Sequence, residues 1–172
     1  MINYDLSKIT TIIFDVDGVL STSTIPMSAE GNPLRSVNIK DGYAIQLAVK
    51  QGLRLAIITG GKDDAIMGRY SKLGMTDIYM ACGVKIEVLR KYMAEHNLSK
   101  EEIIYVGDDI PDYEVMHEVG CPCCPKDACS DIKEISTYIS PYNGGMGCAR
   151  DILEQVMRAQ GLWLKNEKAF GW

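Results

Sequence analysis

Long apolar runs are missing from this chain, and no stretch approaches the length needed to cross a bilayer as a helix. The start, MINYDLSKITTIIFDVDG, has neither a basic leader nor an extended apolar segment, so no secretory signal is expected and the cytoplasm is the default location. Positive charge is also short: 18 Lys and Arg face 23 Asp and Glu, a net charge of -5. That balance argues against a broad nucleic-acid surface but leaves room for a small anionic ligand held by a few local cations. Internal repeats, low-complexity tracts and a convincing interdomain linker are absent, which leaves one domain over 1–160 and a tail over 161–172.

Histidine is scarce, and this bears on the six cysteines. The run Cys121-Pro122-Cys123-Cys124-Pro125, with Cys129 close behind, raises a zinc site. It lacks a second C-x2-C pair beside Cys121 and Cys124. A buried strand in which cysteine serves as a small apolar residue is the preferred reading.

What the chain does have is a repeating order of short apolar runs and helical patterns. Strands are expected at Ile9 to Phe14, Leu53 to Ile58, Asp77 to Met80, Ile103 to Val106 and Cys121 to Cys124. Helices are expected at Asp41 to Lys50, Asp63 to Leu73, Val84 to His96, 111–118 and 147–159. Residues 15–39, rich in Ser, Thr, Gly and Pro, read as an irregular loop or small hairpin. Alternation at such short intervals predicts an α/β fold, a mainly parallel central sheet covered by helices on both faces.

In such sheets ligands bind at the carboxyl ends of the strands. The first strand there ends in Asp15-Val16-Asp17-Gly18, the second in Thr59-Gly60, and the fourth in Gly107-Asp108-Asp109 with Asp112 behind. Carboxylates converging on one edge repel unless a cation sits among them, and an all-oxygen set suits Mg2+. A carboxylate held this way is also a nucleophile for phosphorus, and a second one two residues on is placed for acid/base work. Thr59 and Lys85, at loop-to-helix positions on the same edge, are candidate donors to a phosphoryl group.

Asp15-Val16-Asp17-Gly18-Val19, Thr59-Gly60, Lys85 and Gly107-Asp108-Asp109-x-x-Asp112 resemble, in order and spacing, the four motifs of the haloacid dehalogenase superfamily of phosphatases. The resemblance implies a Rossmann-like three-layer sandwich. It implies Asp15 as nucleophile, Asp17 as acid/base, Thr59 and Lys85 as phosphoryl-binding residues, and Mg2+ held by Asp15, Asp108 and the main-chain carbonyl of Asp17. Whether Asp109 or Asp112 also contacts the metal stays open.

The intervals between motifs leave no room for an inserted cap domain, so the resemblance is to the capless subgroup. Within it, Asn38-x-Lys40-Asp41-Gly42-Tyr43, Arg69 with Leu73-Gly74, and Gly144-Gly145-x-Gly147-x-x-Arg150 are similar to phosphatases of eight-carbon 2-keto-3-deoxy sugar acid phosphates, enzymes of lipopolysaccharide sugar synthesis. Nine-carbon relatives of the KDN or sialic acid type share most of the pattern and are the alternative. A non-catalytic binding protein on the same fold is a further one. The subgroup implies a homotetramer in which a neighbour's C-terminal tail, here carrying Phe170 and Trp172, helps cover the site. Many relatives carry Arg where this chain has Gly61 and Met146; Gly60, Lys40, Asp41, Arg69, Lys72 and Arg150 are the expected substrate-binding residues.

Overall fold

The computed structural model describes residues 1–165; Phe170 and Trp172, and the expectation placed on them, lie outside the described residues. Six strands form one sheet: β1 (Thr11–Phe14), β2 (Arg54–Ile58), β3 (Asp77–Tyr79), β4 (Ile103–Val106), β5 (Cys121–Cys124) and β6 (Tyr138–Ile139). Their order is β3-β2-β1-β4-β5-β6, and every pairing is parallel. The helices are α1 (Ile39–Lys50), α2 (Asp64–Ser71), α3 (Lys85–His96), α4 (Tyr113–Glu118), α5 (Ser130–Ile135) and α6 (Cys148–Ala159). Among the described residues no helix is long and apolar enough to cross a membrane.

The continuous apolar strands bury both faces, as a sheet between two helical layers requires. Ile12, Phe14, Leu55, Ile57, Ile104 and Val106 join α1 and α6 in one core. Ile13, Ala56, Ile58, Ile103 and Tyr105 point the other way, into a second core with Leu89 and Tyr92 of α3 and with Val115, Met116 and Ile132. Each such aliphatic side chain contributes about 1.5–3 kcal/mol by leaving water. In β5 the thiols of Cys121, Cys123 and Cys124 are buried strand residues, as the apolar reading of that run expects.

Two details differ from the sequence expectation, and the loop after β1 agrees with it. Helix α1 starts at Ile39, because the Asn38 side chain accepts the Lys40 and Asp41 N–H groups at 2.8 and 3.2 Å and so caps it earlier. The segment after β1 is a loop whose hairpin character is one antiparallel bridge, Met27 to Pro33. Elements α5 and β6 have no counterpart in the sequence reading. They are six and two residues long, too short to show a period.

Register is what positions the site. Phe14 of β1 lies beside Ile57 of β2 on one side and Val106 of β4 on the other. The three strands therefore end level. The chain runs outward from β1 through β2 to β3, then returns to β4 and continues to β6, so the switch point lies between β1 and β4.

Candidate active site

Asp15 follows the last residue of β1, and its N–H still bonds to the Val106 carbonyl at 3.0 Å, so the central ladder fixes its backbone. Its side chain is 12% exposed. Oδ1 accepts the Val16 N–H at 2.7 Å, and Oδ2 lies 2.9 Å from Lys85 Nζ. Beyond it the chain curls so tightly that the Val16 carbonyl accepts N–H groups from Val19, Leu20 and Ser21. Gly18 has φ +83° inside that turn, and a Cβ there would collide with the Asp108 carboxylate. Only glycine lets Asp108 close on the loop. Gly144, from the loop before α6, packs on the Gly18 carbonyl with equally little space.

Lys85 opens α3 and is 6% exposed. Its ammonium is shared between Asp15 and Asp112, at 2.9 and 2.6 Å. Asp112 is fully buried; its Oδ1 also accepts the Tyr105 hydroxyl at 2.8 Å, and its Oδ2 accepts the Asp108 N–H at 3.1 Å. Thus a buried cation ties the ends of β1 and β4 to the start of α3. Thr59, buried just past β2, is held through its backbone by Tyr79 and Cys82, and its hydroxyl accepts the Gly61 N–H at 3.2 Å. Gly60, between them, is exposed.

Oxygens of Asp15, Asp108 and Asp112 lie within 4.8 Å of one another, and one lysine cannot balance three carboxylates. Burial, then the charges of Asp112 and Asp15, pushes Asp108 up to about 8. Burial and Asp112 likewise raise Asp15, against the pull of Lys85. Burial works to lower Lys85, but the two carboxylates prevail and raise it. The surplus of buried negative charge, with all-oxygen donors, fits a hard divalent cation.

Asp17 faces away from this knot into a paired arrangement. Arg35 donates Nε to its Oδ1 at 2.7 Å and Nη2 to its Oδ2 at 2.9 Å, and Arg35 Nη1 reaches Asp63 at 3.2 Å. Arg35 and Arg69 both line a cavity of about 770 Å³ beside Val16. Lys72, at the end of α2, is exposed and outside that lining. Lys40 and Arg150 line a separate cleft of about 530 Å³ with Tyr142 and Met146. Arg150 pairs with Glu154 at 2.8 Å and lies 4.3 Å from the Trp163 ring centre. Asp41 is 2% exposed and accepts the Arg150 N–H at 2.7 Å, buried between α1 and α6. Burial raises its carboxyl to about 6.

The structure therefore brings Asp15, Lys85, Asp108 and Asp112 into one cluster, with Asp17 and Thr59 on adjoining strand ends and the other candidates farther along the edge. Sequence reasoning missed Arg35 and Tyr105 and treated Asp112 only as a candidate metal contact. Arg35 stands in a loop without periodicity, where a lone cation carries no signal.

A level row of strand ends, a buried carboxylate–lysine–carboxylate bridge and an unbalanced acidic trio mark one edge of this parallel α/β sheet as the candidate site. Residues 62–152 match the haloacid dehalogenase-like hydrolase family. The chain is 34% identical over 154 residues to the 3-deoxy-D-manno-octulosonate 8-phosphate phosphatase of Escherichia coli K12, covering 90% of this chain and 82% of that one. It is similar in structure to the same phosphatase from Yersinia pestis, with TM-score 0.90, 31% identity and coverage of 98% and 89%. The Moraxella catarrhalis phosphatase of that name, solved with magnesium, phosphate and KDO, gives TM-score 0.88, 28% identity and coverage of 95% and 92%. The chain belongs to the haloacid dehalogenase-like hydrolases.

Proposed function

We propose that this protein is a magnesium-dependent phosphatase that hydrolyses 3-deoxy-D-manno-octulosonate 8-phosphate, a step in making the sugar acid of lipopolysaccharide. The observation that carries the chemistry is the Lys85 ammonium bridging Asp15 and Asp112 at the ends of the two central strands. The likeness to phosphatases of that name supports the substrate.

In this reading an Asp15 oxygen attacks phosphorus, and the bond from phosphorus to the sugar oxygen breaks. Asp17 gives a proton to the departing alkoxide. The aspartyl-phosphate on Asp15 then meets a water whose proton goes to Asp17 as its oxygen bonds to phosphorus; the bond to Asp15 breaks and inorganic phosphate leaves. Lys85 keeps Asp15 ionised and aimed, and with the Thr59 hydroxyl it supplies donors for charge on the phosphoryl oxygens. Mg2+ would be held by Asp15, Asp108 and the Asp17 main-chain carbonyl, where it would neutralise the negative charge gathered at the strand ends. Asp112 serves this site through Lys85.

The same proposal makes residues 1–160 the catalytic domain and 161–172 a tail that reaches a neighbouring site in a cytoplasmic homotetramer. Gly60, Lys40, Asp41, Arg69, Lys72 and Arg150 stand as the substrate-side residues of this reading. Asp15→Asn tests the core of it. The variant should melt as the parent does and lose at least ~1000-fold in kcat with Mg2+ present. Undiminished phosphate release would refute the nucleophile. A screen of eight- and nine-carbon sugar acid phosphates tests the substrate, and equal turnover of plain hexose phosphates would refute a sugar-acid preference.

A further inference from the structure

We propose that Arg35 is the specificity-determining residue of this site: its guanidinium, shared here between Asp17 and Asp63, takes up the substrate's carboxylate and thereby releases Asp17 for proton transfer. The inference rests on the reading of the substrate as a sugar acid phosphate.

The geometry is that of a carboxylate receptor already engaged. Arg35 comes from the loop between β1 and α1, and its side chain is only 11% exposed. It meets Asp17 fork to fork, two parallel N–H bonds of 2.7 and 2.9 Å, the arrangement in which guanidinium recognises carboxylate best. Among the described residues the Asp17 carboxylate takes its hydrogen bonds from Arg35 alone. Asp63 is differently placed. Its Oδ1 caps α2 by accepting the Ala65 N–H at 2.9 Å, so the helix holds it whether or not Arg35 stays. Of the two partners, Asp17 is the one free to be exchanged.

A carboxylate gripped by both oxygens in a charge-assisted pair cannot pass a proton to a departing alkoxide. An incoming carboxylate that replaces it on the same fork leaves the guanidinium paired, so the exchange costs little. A phosphate ester without a carboxylate offers nothing in return, and Asp17 stays held. Selectivity then enters the chemical step as well as binding.

Two neighbours support the assignment. Arg35 lines the cavity beside Val16, so its guanidinium joins that cavity to Asp17, which it holds. A Cβ at Gly61 would lie 3.2 Å from Arg35 Nη2 and 2.9 Å from Ile66 Cδ1, so the bare glycine makes room for the guanidinium. Arg35 thus stands where a side chain at position 61 would have been. Of the other candidate cations, Arg150 is taken by Glu154 and Trp163, Lys72 lies outside the cavity, and Arg69 shares the cavity but makes no hydrogen bond to Asp17, which Arg35 alone holds among the described residues.

The test compares 3-deoxy-D-manno-octulosonate 8-phosphate with ribose 5-phosphate, a sugar phosphate without a carboxylate, in the wild type, Arg35→Met and Arg35→Lys. The ratio of the two kcat/KM values should fall roughly 10- to 100-fold in Arg35→Met, the range for a charged hydrogen-bonded contact. Ribose 5-phosphate turnover should rise as Asp17 is freed. Arg35→Lys, which keeps the charge and loses the fork, should fall between and serves alone if the methionine variant does not fold. A parallel fall of both activities, leaving the ratio unchanged, would overturn the proposal and make Arg35 a prop for the loop. No preference of the wild type for the sugar acid phosphate would instead overturn the substrate reading.

Discussion

Replacing Lys85 by methionine removes one buried ammonium and keeps most of the side chain's bulk. Asp15 and Asp112 then face each other, with Asp108 close by and no counterion. Removing one partner of a buried pair costs about 3–5 kcal/mol. The cost depends on pH. Asp108 already sits at about 8, raised by burial and by Asp112 and Asp15, and Asp15 is raised by burial and Asp112. Loss of Lys85 removes the one influence pulling both down. Groups whose folded pKa exceeds the unfolded value bind protons more tightly when folded, so the fold loses stability as pH rises through the folded pKa. The penalty of Lys85→Met should therefore be largest near pH ~9 and shrink toward pH ~5 as the carboxylates take up protons. Urea denaturation of both proteins in chelator, at several pH values, measures this. Added Mg2+ should recover part of the loss at high pH by mass action on the folded state. A penalty below about 1 kcal/mol, or one flat across pH, would refute the view that Lys85 neutralises this acidic cluster.

Gly18→Ala places a Cβ on the Asp108 carboxylate at φ +83°, so it should cost about 2–4 kcal/mol and raise the Mg2+ concentration needed for half-maximal activity; a thermal melt and a metal titration check both. Asp41, raised to about 6 by burial against the Arg150 and Gly147 N–H groups, contributes stability below its unfolded pKa that is lost as pH rises through the folded one. Asp41→Asn should abolish that decline, improving relative to wild type by up to about 3 kcal/mol between pH ~4 and ~7. Parallel stability curves would show that Asp41 does not titrate differently in the fold.

The sheet was legible because its strands are buried on both faces and so read as unbroken apolar runs; Ile103–Val106 and Cys121–Cys124 match the sequence expectation residue for residue. The catalytic edge was legible because parallel strands all deliver their ends to one side, so Asp15, Thr59 and Asp108 had to be neighbours once the strands were placed. What could not be read is what packing in three dimensions decides. Nothing in the spacing says that Lys85 bridges Asp15 to Asp112, that the Tyr105 hydroxyl supports that bridge, or that a loop arginine finds Asp17. Nor does a two-residue strand such as Tyr138–Ile139 leave a pattern to find.

The N–H of Asp15 completes the hydrogen-bond ladder between the two middle strands. Central strands open last, by unfolding of the whole domain rather than by local fluctuation. The amide hydrogen of Asp15 should thus exchange with solvent as slowly as those of Ile12 and Ile13, while the segment carrying Arg35, outside the sheet and held by a few loop hydrogen bonds and side-chain ion pairs, exchanges early. Under the proposed mechanism, heritable change can then accumulate in the segment proposed to choose the substrate while the oxygen proposed to attack phosphorus keeps its place.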